Sequence, residues 1–263
     1  MIKLVFFLKI TSMGYVFDFN DAVNYERWFQ DPDNRFAVDL QNQLMLNMLK
    51  PIRGESIVDI GCGTGVSLRA FLEKGLLVTG LDPSPYMLDI AIKNTGNQVD
   101  FHRGVAEDLP FEDNAFNYAC LITTLEFVEN PQKALEEACR VAKDRIFLGV
   151  FNKYAIKGIH RRVKGIFTAT IFNHAKFFSI WELKQIIRDI LGNVPVTWRT
   201  VCQFPTTQGR IASYLERLER SELVQRCPFG EFTGMVITLV PRYTTKPLSI
   251  TYRTNHKTGI VTG

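Results

Sequence analysis

The pattern of apolar and polar positions changes character near residue 55. Between residues 20 and 50, apolar side chains recur at helical spacing and the pattern breaks at Asp31-Pro32, which predicts two helices. Beyond residue 55, short continuous apolar runs alternate with stretches of helical spacing. They predict strands at 57–60, 76–81, 99–101, 116–122 and 145–150, and helices at 67–73, 86–93 and 131–142.

Strands that alternate with helices are typical of βαβ units, and continuous apolar runs indicate strands that are covered on both faces of a parallel sheet. Two helix starts support this interpretation. Ser84-Pro85 supplies an N-cap and a proline at the first helical position, and Ser179 with Glu182 forms a capping box for a helix to about residue 191. A strand at 194–201, a helix at 210–222 and a strand at 235–240 follow, and the tail from 243 has no periodicity.

Composition indicates an ordinary globular protein. The 263 residues are 46% hydrophobic, enough for one large domain or two small ones, and the net charge is +4. This mild excess is far from the basic stripe of a dedicated nucleic-acid binder, although it does not exclude RNA. The five cysteines are scattered without a CxxC pair, so they predict no disulfide framework, no zinc site and a reducing, cytoplasmic location.

The N-terminal residues 1–14 contain one short apolar run. It is too brief to span a membrane and lacks a small-residue cleavage site. A signal peptide is the alternative interpretation. We expect instead that Met13 is the natural start and that the preceding residues are an upstream extension or a loose arm.

A glycine-rich turn follows the first predicted strand. Gly61, Gly63 and Gly65 lie there, and Asp82 closes the second strand. In open parallel sheets ligands bind beyond the carboxyl ends of the strands. Glycine lets the backbone approach a ligand closely, the next helix offers free N–H groups, and a carboxylate at the position of Asp82 suits the two hydroxyls of a ribose.

Two common phosphate sites do not fit this turn. A dinucleotide fingerprint anchored at Gly61 requires glycine at position 66, where the chain has Val66, and no GK[ST] follows for a P-loop. Asp59 precedes the first glycine by two positions and would repel a pyrophosphate, but it suits a cationic amino group. The pattern therefore predicts a ligand with a ribose and a positively charged amino acid end.

These motifs resemble the core of the class I S-adenosylmethionine-dependent methyltransferases. VDIGCGTG, GLDPSPYML and the segment GVAEDLPFEDNAFNYACLITTLEFVENP are similar to the small-molecule branch that includes ubiquinone and menaquinone biosynthesis enzymes, over about residues 25–152. The resemblance implies a Rossmann-like, seven-stranded, mostly parallel sheet with helices on both faces and an antiparallel last strand. It also implies methyl transfer from S-adenosylmethionine, with S-adenosylhomocysteine as the product.

The same resemblance assigns roles to individual residues. Asp59 and the turn from Gly61 to Gly65 would hold the methionine end, with Tyr25 of a cover helix near its carboxylate. Asp82 would take the ribose, and Pro83 and Met87 would line the adenine. The full set of implied cofactor-binding residues is Tyr25, Asp59, Gly61, Cys62, Gly63, Thr64, Gly65, Asp82, Pro83, Met87, Ala106, Glu107, Ile122 and Thr123.

One position departs from the family pattern. The family commonly has aspartate before the Ala-Glu pair of the loop that covers the adenine edge, whereas this chain has Val105 before Ala106 and Glu107. Valine cannot accept a hydrogen bond from the adenine amino group. We therefore expect Glu107 or a backbone carbonyl to accept it, or the affinity to be reduced.

The acceptor side of the site is less defined. The catalytic candidates are His160, His174 and Glu126, and Glu126 has the alternative of a solvated acid at a helix start. Residues 152–178, rich in cations and apolar side chains, correspond to an insertion that lies over the active site in the family. Three interpretations stay open: a lid for an amphiphilic or anionic small molecule, a peripheral contact with an anionic membrane, and a packed helical pair.

The predicted organisation has three parts. Residues 1–50 form an arm and cover helices, 51–242 the methyltransferase domain with the insertion at about 152–178, and 243–263 a tail. The predicted function is methyl transfer to a small, partly apolar acceptor by in-line displacement, without a metal. The alternatives are an RNA or protein methyltransferase and a non-catalytic module that binds S-adenosylmethionine. The oligomeric state is not predicted.

Overall fold

The computed structural model describes residues 14–29, 32–155, 175–204 and 210–239. Its strands form one seven-stranded sheet in the order β3-β2-β1-β4-β5-β7-β6. β7 runs antiparallel to both of its neighbours, and the other neighbouring pairs are parallel. This confirms the predicted Rossmann-like sheet with an antiparallel last strand. The strands are β1 Ser56–Ile60, β2 Leu77–Asp82, β3 Val99–Arg103, β4 Phe116–Ile122, β5 Ala142–Phe151, β6 Val196–Val201 and β7 Phe232–Thr238.

The helices begin where the sequence places capping residues. The Oγ of Ser84 accepts a hydrogen bond from the N–H of Met87, and the capping box of Ser179 and Glu182 is formed in both directions. The helices are α1 Phe19–Trp28, α2 Pro32–Leu49, α3 Val66–Glu73, α4 Pro85–Thr95, α5 Pro131–Val141, α6 Ile180–Leu191, α7 Arg210–Glu219 and α8 Glu222–Gln225, with one 3₁₀ turn at Gly96–Gln98.

Helices cover the sheet on both faces. One hydrophobic cluster joins the strands to α5 and α6, where Leu135 and Leu183 are fully buried. The other joins them to α2 and α3, where Leu49 and Phe71 are fully buried. Burial of this apolar surface on two faces explains why the strands have continuous apolar runs.

The strand register brings the site residues to one edge of the sheet. β1 and β2 pair with Asp59 beside Gly80 and Ile60 beside Leu81, so the glycine turn follows β1 next to the end of β2. β1 also pairs with β4 on its other side. The chain order therefore reverses at β1, which is the position where open α/β sheets form a binding crevice.

Several element boundaries differ from the predicted ones by a few residues, among them the starts of β5 at Ala142, β6 and β7. β7 begins at Phe232 instead of 235, because Phe232 and Thr233 are buried and pair with β5 and β6. The helix predicted at 210–222 ends at Glu219, where the N–H of Ser221 donates to the carbonyl of Leu218 and a separate short helix follows. β6 begins at Val196, two positions after the predicted 194. The carbonyl of Pro195, just before it, accepts a hydrogen bond from the N–H of Thr238, the last residue of β7.

The ends of the predicted insertion are described, and its middle is not. Asn152 and Phe178 form a parallel bridge, which brings the two ends of the segment together. Residues 156–174, with His160 and His174, lie outside the described residues, as do 1–13 and the tail. In the parts of the chain that the structure describes, no helix is long and apolar enough to cross a membrane.

Candidate active site

The three glycines of the turn have left-handed backbones for different reasons. Gly61 has a φ of +76°, and a Cβ there would lie 2.5 Å from the Thr124 side chain. Gly65 has a φ of +83°, and a Cβ there would meet Ala91 of α4 at 3.2 Å. Gly63, at +53°, has open space on the same side, with a Tyr25 ring atom 4.0 Å away. Gly61 and Gly65 thus serve close packing, and Gly63 leaves room for a ligand.

Asp82 ties the glycine turn to the end of β2. Its Oδ2 accepts the N–H of Gly63 at 2.9 Å, and its Oδ1 accepts the N–H of Ser84 at 2.9 Å. Burial raises the pKa of the carboxyl, and the two N–H donors act in the opposite direction. Each oxygen retains a second lone pair, so the carboxylate is held in place and can accept further hydrogen bonds.

Asp59 does not line the larger cavity itself but contacts Ser67, which does. Its side chain is buried, its Oδ2 accepts a hydrogen bond from the Ser67 hydroxyl, and its Oδ1 has no hydrogen-bond partner within the described residues. Burial raises the pKa of the carboxyl to about 7. Ser67 lines the larger cavity, so the carboxylate reaches it through this hydroxyl.

Two cavities meet at the carboxyl edge of the sheet. The larger has a volume of about 600 Å³ and the smaller about 80 Å³. Asp82 and Thr123 line both of them. The smaller cavity continues along Pro83, Val105, Ala106 and Glu107, and the larger along Cys62, Gly63, Thr64, Met87, Ile122 and Tyr25.

The predicted site residues separate between these cavities. Met87 lies on the larger cavity and not beside Pro83, with which it was expected to line one subsite. Gly65 lines neither cavity. The Oε1 of Glu107 accepts the backbone N–H groups of Glu129 and Asn130, so one oxygen of this predicted adenine partner already has a structural role.

The segment 14–17 crosses the site and was not predicted from the sequence. The N–H of Tyr15 donates to the carbonyl of Phe127 at 2.8 Å, and the hydroxyl of Ser84 donates to the carbonyl of Phe17 at 2.7 Å. A Cβ on Gly14 would overlap the carbonyl of Phe127. Residues 14–17 all line the smaller cavity. Tyr15 and Phe17, just before the N-cap Asp18, are a local signal that this segment is partly buried, but they do not indicate its contact with Phe127.

Tyr25 and Thr123 both line the larger cavity. A hydrogen bond joins their side chains, and burial raises the pKa of Tyr25 to about 12. Thr123 has a φ of +51°, which is unusual for a β-branched residue, and its N–H donates to the carbonyl of Gly149 at 2.7 Å. Unfavourable backbone conformations of this kind cluster at functional sites.

Glu126 is buried, with 1% of its surface exposed, and no helix begins there. The alternative of a solvated acid at a helix start is therefore wrong. Its Oε1 accepts the N–H of Phe151 at 2.7 Å, and its Oε2 has no partner within the described residues. Burial raises the pKa of the carboxyl to about 8. Glu126 does not line either cavity.

Aromatic side chains make up much of the larger cavity's wall. The rings of Tyr25 and Trp28 are nearly parallel at 14°, with centroids 6.4 Å apart. The Phe29 ring is perpendicular to both, at 85° and 83°. We call these three residues the aromatic box. In the described parts of the chain no group of three or more His, Cys, Asp or Glu side chains is placed to hold a metal ion.

Comparisons with known proteins show which family the chain resembles. Residues 58–148 match the model of a methyltransferase domain. An uncharacterised protein of Methanocaldococcus jannaschii is 32% identical over 171 residues, which cover 64% of this chain and 77% of that protein. Demethylmenaquinone methyltransferase of Renibacterium salmoninarum is 36% identical over 101 residues, which cover 38% of this chain and 42% of that enzyme. The chain thus spans less than half of the latter.

A solved structure extends the similarity over most of the chain. It is a S-adenosylmethionine-dependent methyltransferase of Thermotoga maritima, described as a "possible histamine N-methyltransferase". It superposes with a TM-score of 0.67 and 27% sequence identity, covering 84% of this chain and 97% of that one.

Proposed function

The chain belongs to the class I S-adenosylmethionine-dependent methyltransferases, and on that premise we propose that it methylates a small, partly apolar acceptor by in-line displacement. The observation that carries the proposal is the pair of cavities that meet at Asp82 and Thr123. The smaller cavity on one side of this carboxylate suits the adenine of the cofactor, and the larger cavity on the other side suits its methionine end together with a methyl acceptor.

The residues present fit S-adenosylmethionine. Gly63 leaves open space where a side chain would stand, and Asp59 has a buried oxygen without a partner behind the wall. Asp82 would accept the ribose hydroxyls with its remaining lone pairs. The smaller cavity, beside Pro83 and Ala106, would hold the adenine.

The methionine end would lie along the turn from Cys62 to Thr64. Its ammonium group would be attracted by the negative charge of Asp59, whose Oδ2 accepts a hydrogen bond from the Ser67 hydroxyl on the cavity wall. Its carboxylate would accept hydrogen bonds from the free N–H groups at the start of α3. The hydroxyl of Tyr25, held by Thr123, is a further donor for this carboxylate. When bound, the cofactor supplies an activated methyl group on a sulfonium.

The protein's own contribution is positioning. Holding two reactants in line contributes up to about 7–11 kcal/mol in favourable cases. The segment 14–17 and α1 cover the cavities, so they exclude water and align the acceptor.

Cavity size supports a small acceptor. A volume of about 600 Å³ lies within the range of small-molecule sites, roughly 300–1,000 Å³, and the wall is mainly apolar. The relatives act on different compounds by name, a demethylmenaquinone in one case and histamine as a suggestion in the other.

Transfer of tritium from labelled S-adenosylmethionine tests the proposal. The full chain is incubated with a panel of small phenols, amines and carboxylic acids, and in parallel with bulk RNA and with a protein extract. We expect S-adenosylhomocysteine to bind in calorimetry and label to enter a small molecule. Label in RNA or protein alone would support the alternative methyltransferases, and binding without any turnover would support a non-catalytic module.

A further inference from the structure

The described residues that line the larger cavity carry charge of one sign. The described residues that line it include no lysine, arginine or histidine, whereas Asp21 and Asp82 are among them. Behind the wall, burial raises the pKa of Asp59 to about 7 and that of Glu126 to about 8, so Glu126 is largely protonated at neutral pH. The carboxylates of Asp21 and Asp82 on the wall itself would repel an anionic acceptor and attract a cation.

The aromatic box adds a second preference for cations. Its three members all line the larger cavity, and the Phe29 centroid is 4.8 Å from that of Tyr25 and 5.1 Å from that of Trp28. Aromatic faces attract alkylammonium groups through their quadrupoles, and several rings together form the cages that bind methylated ammonium groups. Tyr25 and Trp28 lie on α1, Phe29 is its C-cap residue, and none of the three lines the smaller cavity.

Among the described residues, the bases at the larger cavity also disfavour a hydroxyl acceptor, since Asp21 and Asp82 already accept hydrogen bonds from Tyr15, Gly63 and Ser84. A phenol or alcohol must lose a proton as it is methylated, so it needs a base on the wall. Tyr25 is on the wall, but burial raises its pKa to about 12 and keeps it protonated at neutral pH. Glu126 has a suitable pKa of about 8 but is 1% exposed and does not reach the cavity. A neutral amine attacks through its lone pair and needs no base in that step.

We propose that the acceptor is a small amine with an aromatic or apolar body, and that the aromatic box receives its nitrogen. This inference rests on the proposed methyl transfer and specifies its substrate class. The ammonium form first releases a proton to water. The nitrogen lone pair then forms the N–C bond while the C–S bond breaks and sulfur keeps its electron pair. Positive charge thus moves to nitrogen, where the aromatic faces and Asp21 stabilise it.

Three probes with one body test the charge preference: 2-phenylethylamine, 2-phenylethanol and 3-phenylpropanoate. Their binding to the full chain saturated with S-adenosylhomocysteine is measured by calorimetry, and their methylation with tritium-labelled S-adenosylmethionine. We expect the amine to bind at least about tenfold more tightly than the carboxylate and to be the methylated probe. A carboxylate that binds as tightly as the amine, or methylation of the alcohol in preference to the amine, would overturn the inference.

A pair of tryptophan variants separates the aromatic box from a general loss of structure. Trp28→Leu keeps an apolar side chain, and we expect it to weaken amine binding about tenfold and alcohol binding less than twofold. Trp181→Leu changes a tryptophan that is 59% exposed and does not line the cavity, and it should change neither. Equal weakening of both probes by Trp28→Leu would contradict a cation–π contact. Failure to bind S-adenosylhomocysteine at all would contradict the proposed function instead.

Discussion

The carboxylate of Asp82 accepts the backbone N–H of Gly63 at 2.9 Å and so joins the end of β2 to the turn after β1. The same side chain lines both cavities. One residue therefore shapes the turn and stands where the two parts of the ligand would meet. Its replacement is the sharpest test of the cofactor site.

Asp82→Ala should abolish cofactor binding. It removes the hydrogen bonds to Gly63 and Ser84 as well as the acceptor for the ribose, and each bond to a charged group contributes about 1.5–3 kcal/mol. We expect the dissociation constant of S-adenosylhomocysteine in calorimetry to rise by on the order of 100-fold or more. Asp89→Asn, an exposed change on the neighbouring α4, is the control. Unchanged affinity in the Asp82 variant would remove the ribose assignment.

Gly61→Ala should destabilise the fold more than Gly54→Ala. Both glycines have a positive φ, +76° and +87°, so both variants lose about 1–2 kcal/mol from backbone conformation, and at Gly54 a Cβ would meet nothing within 4 Å. Only at Gly61 would the new methyl group also press on Thr124, whose hydroxyl donates to the carbonyl of Ile60. We expect a further loss of about 1–3 kcal/mol in urea unfolding. Equal losses in the two variants would show that the close approach at Gly61 has no energetic weight.

Thr123→Gly should separate stability from activity. Glycine adopts the φ of +51° without strain, so we expect the free energy of unfolding to stay constant or rise by up to about 1 kcal/mol. The variant loses the side chain that bonds Tyr25, and turnover should fall about tenfold or more. Asn114→Gly relieves a similar φ of +57° on an exposed turn and should keep full turnover. Full turnover by Thr123→Gly would show that neither the strained backbone nor the side chain of Thr123 contributes to activity.

Glu126 should make stability fall as pH rises. Its pKa in the folded protein is about 8 against an ordinary 4.5, so between these values the native state holds a proton that the unfolded chain has lost. The native state then binds more protons, and the free energy of unfolding decreases across this window. Burial of Asp59, with a pKa of about 7, acts in the same direction.

Glu126→Gln tests this dependence, because the amide cannot ionise. Relative to this variant, the wild type should lose on the order of a few kcal/mol in urea unfolding between about pH 5 and 8. Glu112→Gln, which changes an exposed carboxylate, should follow the wild type. Identical pH dependence in the wild type and Glu126→Gln would show that Glu126 is charged in the fold.

Local pattern was sufficient for the order of the elements and for the position of the glycine turn next to Asp82. The apolar runs predicted the strands, and Ser84 and Ser179 marked helix starts that the structure contains. Gly61 and Asp82 were expected at the same edge because parallel strands end there together, and the β1–β2 register places them so. These features depend on neighbouring residues or on the general geometry of a parallel sheet.

The sequence by itself determined the order and approximate positions of the strands, and the glycine turn with its two carboxylates, because periodicity and turn chemistry are local. Only the tertiary structure decided that residues 14–17 close the smaller cavity against Phe127, and that Glu126 is buried rather than solvated. Both outcomes depend on contacts between residues far apart in the chain, which no local pattern encodes. The same holds for the aromatic box, since helical spacing places Tyr25 and Trp28 on one face of α1 but does not say that this face meets the cavity.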